Sequence, residues 1–366
     1  MSSYKHTSST FIGKGSTEIF FQSWNVDSPR GILVLSHGLG EHSDRYERIV
    51  NEATSKNISV YALDHRGHGR STGKLGHVDS FMDYIYDMKT FIDQIKDLNG
   101  EKPVILLGHS LGGCIATKFA LTYPEDLSGL ILSSAALIAK HQVNAVKGAM
   151  GSFFSKYLPT LTMGNGLDTS DISRDKDEVI KYITDPMLHD KVTARFYTEF
   201  TQTMEECVTR ISEINLPVCF IHGTADNIVD VAGTQMAYDK VSSKDKEINL
   251  FDGFFHETMN EVPEGRKKVI DVLGAWLDAH LPKGGKKSVA KKAPSKKKPV
   301  SKKTTKKKAV SKKSAPKKKA AAKKTTSKKA VKKTSSKKAA KKKVVKKAVT
   351  KKSVKKKSTA KKAKKK

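Results

Sequence analysis

The sequence predicts an α/β fold built on a mostly parallel sheet, and three observations carry that prediction. Short, wholly apolar runs alternate with segments of helical spacing between residues 19 and 280. One such pair, Pro103 to Tyr123, reads as strand, sharp turn and helix around Gly108-His109-Ser110-Leu111-Gly112. The alternation breaks at residues 136 to about 210 and then resumes, as expected of an insertion into a sheet already laid down.

Taken in order, Ile19 to Trp24 and Ile32 to Leu35 read as consecutive strands around the turn Asp27-Ser-Pro-Arg-Gly31. The second runs into Ser36-His37-Gly38-Leu39-Gly40-Glu41-His42-Ser43-Asp44-Arg45-Tyr46. A His-Gly loop directly after a strand suits one half of an oxyanion hole, with the Leu39 backbone N–H as donor; a glycine-rich loop without chemistry is the alternative. Tyr46 to Lys56 is a helix and Ile58 to Leu63 a strand. Asp64-His-Arg-Gly-His-Gly-Arg-Ser71 follows. Its glycine spacing matches neither a P-loop nor a dinucleotide fingerprint, so it is expected to be a structural loop held by Asp–Arg and His hydrogen bonds. Ser80 to Asn99 is an amphipathic helix, with Phe81, Ile85, Met88, Ile92 and Ile95 at three- and four-residue steps.

Val104 to Leu107 is apolar throughout, as in a strand covered on both faces. Gly108-x-Ser110-x-Gly112 has the form of a nucleophile elbow, in which the turn lifts the serine hydroxyl above the sheet and the flanking glycines avoid collision. The helix that follows aims its N-terminal N–H groups at the site, so the Leu111 N–H is the second expected oxyanion donor. Leu130 to Leu132 is another buried strand. Within 136–210, Met150, Phe153, Phe154, Leu158, Leu161 and Met163 suggest an apolar lid suited to an acyl chain, or else side chains that only pack the lid down. Gly164-Asn-Gly166 reads as a turn, and Arg174 to Phe200 carries two helical patterns.

Val218 to Ile221 resumes the sheet and leads into His222-Gly-Thr-Ala-Asp226. A carboxylate just past a strand's C-terminal end can orient a histidine; Asp226 is favoured over Asp230, four residues on. Ile248 to Phe251 is the last strand. His256 follows it on a glycine-containing loop, ahead of a helix from Pro263 to His280. The order Ser110, Asp226, His256 is that of an α/β-hydrolase catalytic triad.

With these residues assembled, 1–282 resembles the monoacylglycerol lipase and lysophospholipase branch of the α/β-hydrolases. The likeness rests on the 36–46 and 64–71 stretches, Gly108-His-Ser-Leu-Gly-Gly113, His222-Gly-Thr-Ala-Asp226 and His256-Glu-Thr-Met-Asn-Glu261. It implies the α/β-hydrolase fold, with a mostly parallel eight-stranded sheet and a helical cap (about 136–210) over an acyl pocket. It also implies a polar pocket for the substrate head group, to which Glu41, Arg45 and His109 are the matching contributors. The implied chemistry is ester hydrolysis through an acyl-enzyme, without cofactor or metal. A general carboxylesterase or peptidase of the same fold is the rival reading.

Composition divides the chain. Net charge is +32, yet residues 283–366 hold 41 Lys, no Arg and no acidic residue. That leaves 28 of the 69 Lys and Arg in 1–282, against all 37 Asp and Glu, a net charge of −9. An acidic hydrolase domain (1–282) therefore carries a cationic tail (283–366) of Lys, Ala, Ser, Thr, Val and Pro, in repeats such as Ser-Lys-Lys and Ala-Lys-Lys. Without aromatics it has no core to form and is expected to be disordered. It resembles linker-histone tails and should bind polyanions without sequence preference: DNA, RNA, polyphosphate or an anionic membrane surface. A protein that binds nucleic acid and keeps the hydrolase domain as an inactive scaffold is the reading from another class; an intact triad argues against it. Cys114, Cys207 and Cys219 lack metal-ligand spacing and read as small core residues of a reducing compartment. Met1-Ser-Ser-Tyr-Lys-His-Thr has no apolar signal region and no run reaches transmembrane length. A cytoplasmic location is expected, with nucleoid or membrane-surface association through the tail.

Overall fold

The computed structural model describes residues 4–140 and 153–283. Residues 141–152 of the expected cap and all but the first residue of the expected tail lie outside them.

Eight strands form one sheet: β1 (Lys5–Ile12), β2 (Glu18–Asn25), β3 (Ile32–Ser36), β4 (Ser59–Leu63), β5 (Val104–His109), β6 (Gly129–Ser133), β9 (Val218–Gly223) and β10 (Lys246–Phe251). Their order is β1-β2-β4-β3-β5-β6-β9-β10. The pairings β1/β2 and β2/β4 are antiparallel and the rest are parallel. The five strands β3, β4, β5, β6 and β9 are buried along their whole length, which is why they read as unbroken apolar runs.

Alternate residues of these strands feed two separate cores, one on each face. Ile32, Val34, Leu106, Leu132 and Phe220 face one core. There they meet helices α2 (Met82–Asn99) and α3 (Leu111–Thr122), represented by Ile85, Phe91, Ile92, Ile115 and Phe119. Leu33, Leu35, Ile105, Leu107 and Ile221 face the other, against Ile49 and Val50 of α1 (Glu47–Ser55) and Val269, Leu273 and Trp276 of α7 (Pro263–His280). Each fully buried Leu, Ile or Phe contributes about 1.5–3 kcal/mol relative to exposure. Every residue of α3 from Leu111 to Leu121 is buried, so the elbow helix is clamped along its length.

Outside the 136–210 segment, two elements escape the sequence reading. β1, Lys-His-Thr-Ser-Ser-Thr-Phe-Ile, is an edge strand exposed at all positions but Phe11, and so shows no apolar alternation. Helix α6 (Val231–Lys240) has little apolar stripe and is marked by its cap: the Asp230 side chain accepts from the Ala232 N–H at 3.1 Å.

Between β6 and β9 lie β7 (Thr162–Gly164), α4 (Lys176–Thr184), β8 (Lys191–Thr193) and α5 (Ala194–Arg210), with β7 and β8 pairing as a small antiparallel ladder. The stretch read as a turn at Gly164 is thus partly strand. Phe196 and Cys207 of α5 enter the main core beside Cys114, so the C-terminal part of the 136–210 segment packs as body. Cys114, Cys207 and Cys219 are buried thiols. Among the described residues, no helix is long and apolar enough to cross a membrane.

Candidate active site

The site is assembled at the C-terminal ends of the parallel strands, starting from the elbow between β5 and α3. Ser110 has φ 53° and ψ −118°, a left-handed conformation rare for a residue with a side chain. The surroundings hold it there. Its N–H donates to the Ser133 carbonyl at 3.1 Å, and its own carbonyl accepts from Gly113, Cys114 and Ala136 N–H groups at 2.9–3.1 Å. The elbow glycines are required by contact: a Cβ on Gly108 would lie 2.2 Å from the Gly112 carbonyl oxygen, and one on Gly112 only 2.0 Å from that of Ser36.

Asp226 follows β9 and is buried. Its Oδ1 accepts from the Ile228 and Val229 N–H groups at 2.7 and 3.0 Å. Its Oδ2 accepts from His256 Nδ1 at 2.7 Å and from His222 Nε2 at 3.0 Å, and Thr234 Oγ1 donates to His222 Nδ1 at 2.6 Å. Burial alone would raise the Asp226 pKa; the charge and hydrogen bonds of His256 and His222 outweigh it and hold the carboxyl well below the usual carboxylate range. For His256 burial opposes the imidazolium, but Asp226 overrides it and keeps the pKa above the ordinary histidine value. Asp230 is the α6 cap and contacts neither histidine.

The His256 loop is tied down on both sides. Ser134 Oγ donates to the His256 carbonyl at 2.8 Å, the His256 N–H reaches the Asp171 carbonyl at 3.4 Å, and the Glu257 N–H donates to the Ile172 carbonyl at 2.8 Å. Ser110 and His256 both line a cavity of about 70 Å³, together with Leu39, Leu167, Ile172 and Ile228. No hydrogen bond joins the Ser110 hydroxyl to His256 among the described contacts; such bonds commonly tighten only when substrate binds. Leu39 borders the same cavity, and its N–H makes no hydrogen bond among the described residues. Leu111 is the first residue of α3, where the N–H has no partner inside the helix. Neither N–H therefore has a hydrogen-bond partner among the described residues.

Glu41, Arg45 and His109 lie close by in a buried ion network. Glu41 Oε1 accepts from the Gly38 N–H at 2.5 Å and from the Tyr46 hydroxyl at 2.8 Å, while Oε2 accepts from Arg45 Nη1 at 2.6 Å. Arg45 also forks onto Glu257 at 2.7 and 2.8 Å. Burial would raise the Glu41 pKa, but Arg45, with smaller help from His109 and His37, brings it down to about 2. His109 donates from Nδ1 to the Ser133 carbonyl at 3.1 Å; burial, then the neighbouring His256, pushes its pKa down to about 4. Glu41 and His109 border the 70 Å³ cavity. Arg45 instead borders an adjoining void of about 10 Å³, room for one water.

Three residues given no role in the sequence also belong here: His222 and Glu257, close in sequence to Asp226 and His256, and Tyr182, which borders the cavity with the Arg45 guanidinium 4.8 Å from its ring. The expected acyl lining also differs. Phe153, Leu158, Leu161 and Met163 are 56, 50, 41 and 41% exposed and border no part of the cavity. The 64–71 loop is structural, as its composition predicts: Asp64 accepts from the Ser43 and Arg70 N–H groups, and Arg66 pairs with Asp87 at 2.7 Å. Among the described residues, no cluster of His, Cys, Asp or Glu is arranged to hold a metal ion.

An eight-stranded, mostly parallel sheet with a serine at a strained strand–helix turn defines the class: this is a serine hydrolase of the α/β-hydrolase fold. Residues 27–263 match the family Hydrolase_4, serine aminopeptidase S33, and the chain belongs to that family. It is 34% identical over 274 residues to a monoacylglycerol lipase of Mycolicibacterium smegmatis, a match covering 74% of this chain and 97% of that protein. It is 28% identical over 261 residues to a phospholipase of Bacillus subtilis, covering 71% and 99%. The crystal structure of a Paleococcus ferrophilus monoacylglycerol lipase superposes with a TM-score of 0.65 at 30% identity, covering 76% of this chain and 99% of that one. The protein is a serine ester hydrolase.

Proposed function

We propose that the protein hydrolyses the carboxylic ester of monoacylglycerols or lysophospholipids through an acyl-enzyme on Ser110. His256 accepts the Ser110 proton as Oγ attacks the ester carbonyl carbon. The carbonyl oxygen takes up the negative charge and receives the Leu39 and Leu111 N–H groups, a donor pair whose members are typically each worth about 10²–10³ in rate. His256 returns its proton to the glycerol oxygen as the C–O bond breaks. A water, deprotonated by His256, then attacks the acyl carbon; the fatty acid leaves and Ser110 regains its proton. Asp226 fixes the imidazole tautomer throughout. Glu41 and His109 meet the polar head group, and Arg45 acts by holding the Glu41 carboxylate.

The observation that carries this reading is a positive-φ serine sharing a cavity wall with a histidine whose far nitrogen is 2.7 Å from a buried carboxylate. The lipase and phospholipase relatives support an acyl-glycerol substrate. The family description keeps a peptidase in view. A panel of monoacylglycerols, lysophosphatidylcholine, triacylglycerol and an aminoacyl amide, with Ser110→Ala as control, tests both readings. Turnover of the amide alone would replace the lipid reading by peptidase chemistry. Residues 283–366, with 41 Lys and no acidic residue, serve in this reading to hold the hydrolase domain on a polyanion such as nucleic acid or an anionic membrane surface.

A further inference from the structure

The Asp64–Ser71 loop has no part in the chemistry above, yet one of its backbone groups reaches the oxyanion loop. The His65 N–H donates to His37 Nε2 at 2.8 Å. A backbone N–H can only donate, so that ring nitrogen is unprotonated and the proton of neutral His37 sits on Nδ1. Nδ1–H in turn donates to the Gly38 carbonyl at 2.8 Å. Burial lowers the pKa of His37, against the opposing charges of Asp64 and Glu41, and favours the neutral ring that both bonds need.

The Gly38 carbonyl belongs to the same peptide unit as the Leu39 N–H, and in a trans peptide the two point in opposite directions. That unit lies against the nucleophile: a Cβ built on Gly38 would be 3.3 Å from the Ser110 Cβ. We propose that His37 is the positioning residue of the oxyanion hole, locking the Gly38–Leu39 peptide by the relay His65 N–H to His37 to Gly38 carbonyl so that the Leu39 N–H faces Ser110. Without the relay, the peptide after a glycine is free to rotate and carry the donor away. The 64–71 loop thereby gains a purpose: its backbone fixes the tautomer of a side chain at the end of the neighbouring strand. The inference rests on the Leu39 N–H being an oxyanion donor.

Two substitutions in the full-length protein separate the halves of the relay. His37→Asn keeps an amide N–H near the Nδ1 position and loses the acceptor facing His65. His37→Gln keeps an acceptor near the Nε2 position and loses the donor facing Gly38. With p-nitrophenyl butyrate, H37N should retain kcat within about tenfold, whereas H37Q should lose about 10²-fold in kcat with KM little changed. The affinity of a trifluoromethyl ketone, which adds to serine as an oxyanion, should fall in parallel for H37Q. Equal losses in the two variants, or H37Q at wild-type kcat, overturn the proposal. Nitrogen NMR of the histidine-labelled wild-type protein gives an answer that needs no variant: a neutral Nδ1–H ring at His37 is expected, and an Nε2–H ring or an imidazolium refutes the relay. Ser110→Ala is the control for the underlying reading. If turnover survives it, the acyl-enzyme reading fails; if turnover is abolished, equal losses at position 37 fall on the relay alone.

Discussion

Asp226→Asn is the sharpest test of the proposed triad, because the four hydrogen bonds at this carboxylate leave the amide no good orientation. Two backbone N–H groups converge on Oδ1 and two imidazole N–H groups on Oδ2. With the amide oxygen toward Ile228 and Val229, the new NH₂ group faces the donors of both His222 and His256. His256 then has to present Nδ1 as an acceptor and carry its proton on Nε2, where it can no longer take one from Ser110. The flipped amide sets NH₂ against two buried N–H groups instead, at about 1–3 kcal/mol for each group left unsatisfied. The first arrangement is the cheaper, and the wrong tautomer in a triad of this kind lowers kcat by about 10⁴, or about 5 kcal/mol of barrier. Steady-state hydrolysis of p-nitrophenyl butyrate at neutral pH measures it. Asp230→Asn is the comparison: it trades one helix-cap acceptor for another and should leave kcat within about twofold. A D226N enzyme within tenfold of wild type, or a D230N enzyme as damaged as D226N, would refute the assignment.

Three further outcomes are expected. Because Asp226 holds the His256 pKa above the ordinary value and the base must be neutral, kcat/KM should rise with pH along a limb centred above 6.5. The sign for stability is opposite: the His256–Asp226 contribution is full below the unfolded histidine pKa and is lost as pH rises through the folded one. A pH–rate profile with its limb at or below 6.5 would contradict the pairing. Arg45→Ala leaves Glu41 and Glu257, only 4 and 5% exposed, without their shared cation and should destabilise by about 3–5 kcal/mol in urea unfolding; a loss below 1 kcal/mol would mean the network is easily rehydrated. Removing 283–366 should leave turnover of soluble esters unchanged while abolishing salt-sensitive binding to DNA or anionic vesicles, read by fluorescence anisotropy and by co-sedimentation; a collapse of turnover would show that the two regions are not independent.

What could be read in the sequence was whatever local sterics dictate. The elbow announces itself because Gly108 and Gly112 have no room for a side chain, and the parallel strands because burial on both faces demands apolar residues throughout. Asp226 could be ranked above Asp230 from position alone, since it follows a strand end directly; that Asp230 caps a helix comes only from the structure. The misses have the opposite character. β1 is polar because it is an exposed edge, so periodicity is blind to it. His222 shares the Asp226 oxygen with His256 from four residues before the aspartate, but nothing in the spacing says that its ring turns toward the carboxylate rather than away. Glu257 meets Arg45 across 212 residues, a contact set by tertiary packing alone. The apolar residues between 153 and 163 suit either an acyl pocket or lid packing, because composition cannot tell an inward face from an outward one.

The backbone bonds from Asp171 and Ile172 to His256 and Glu257 divide the cap mechanically. Those two residues are spliced to the segment that carries the proposed base, so displacing them would displace the imidazole as well. Leu167 and Thr169, which also border the cavity, lie upstream of the splice and carry no such bond to that segment. Any movement that widens the entrance while keeping the acid–base geometry intact must therefore leave Asp171 and Ile172 in place, and the histidine loop acts as their fixed anchor.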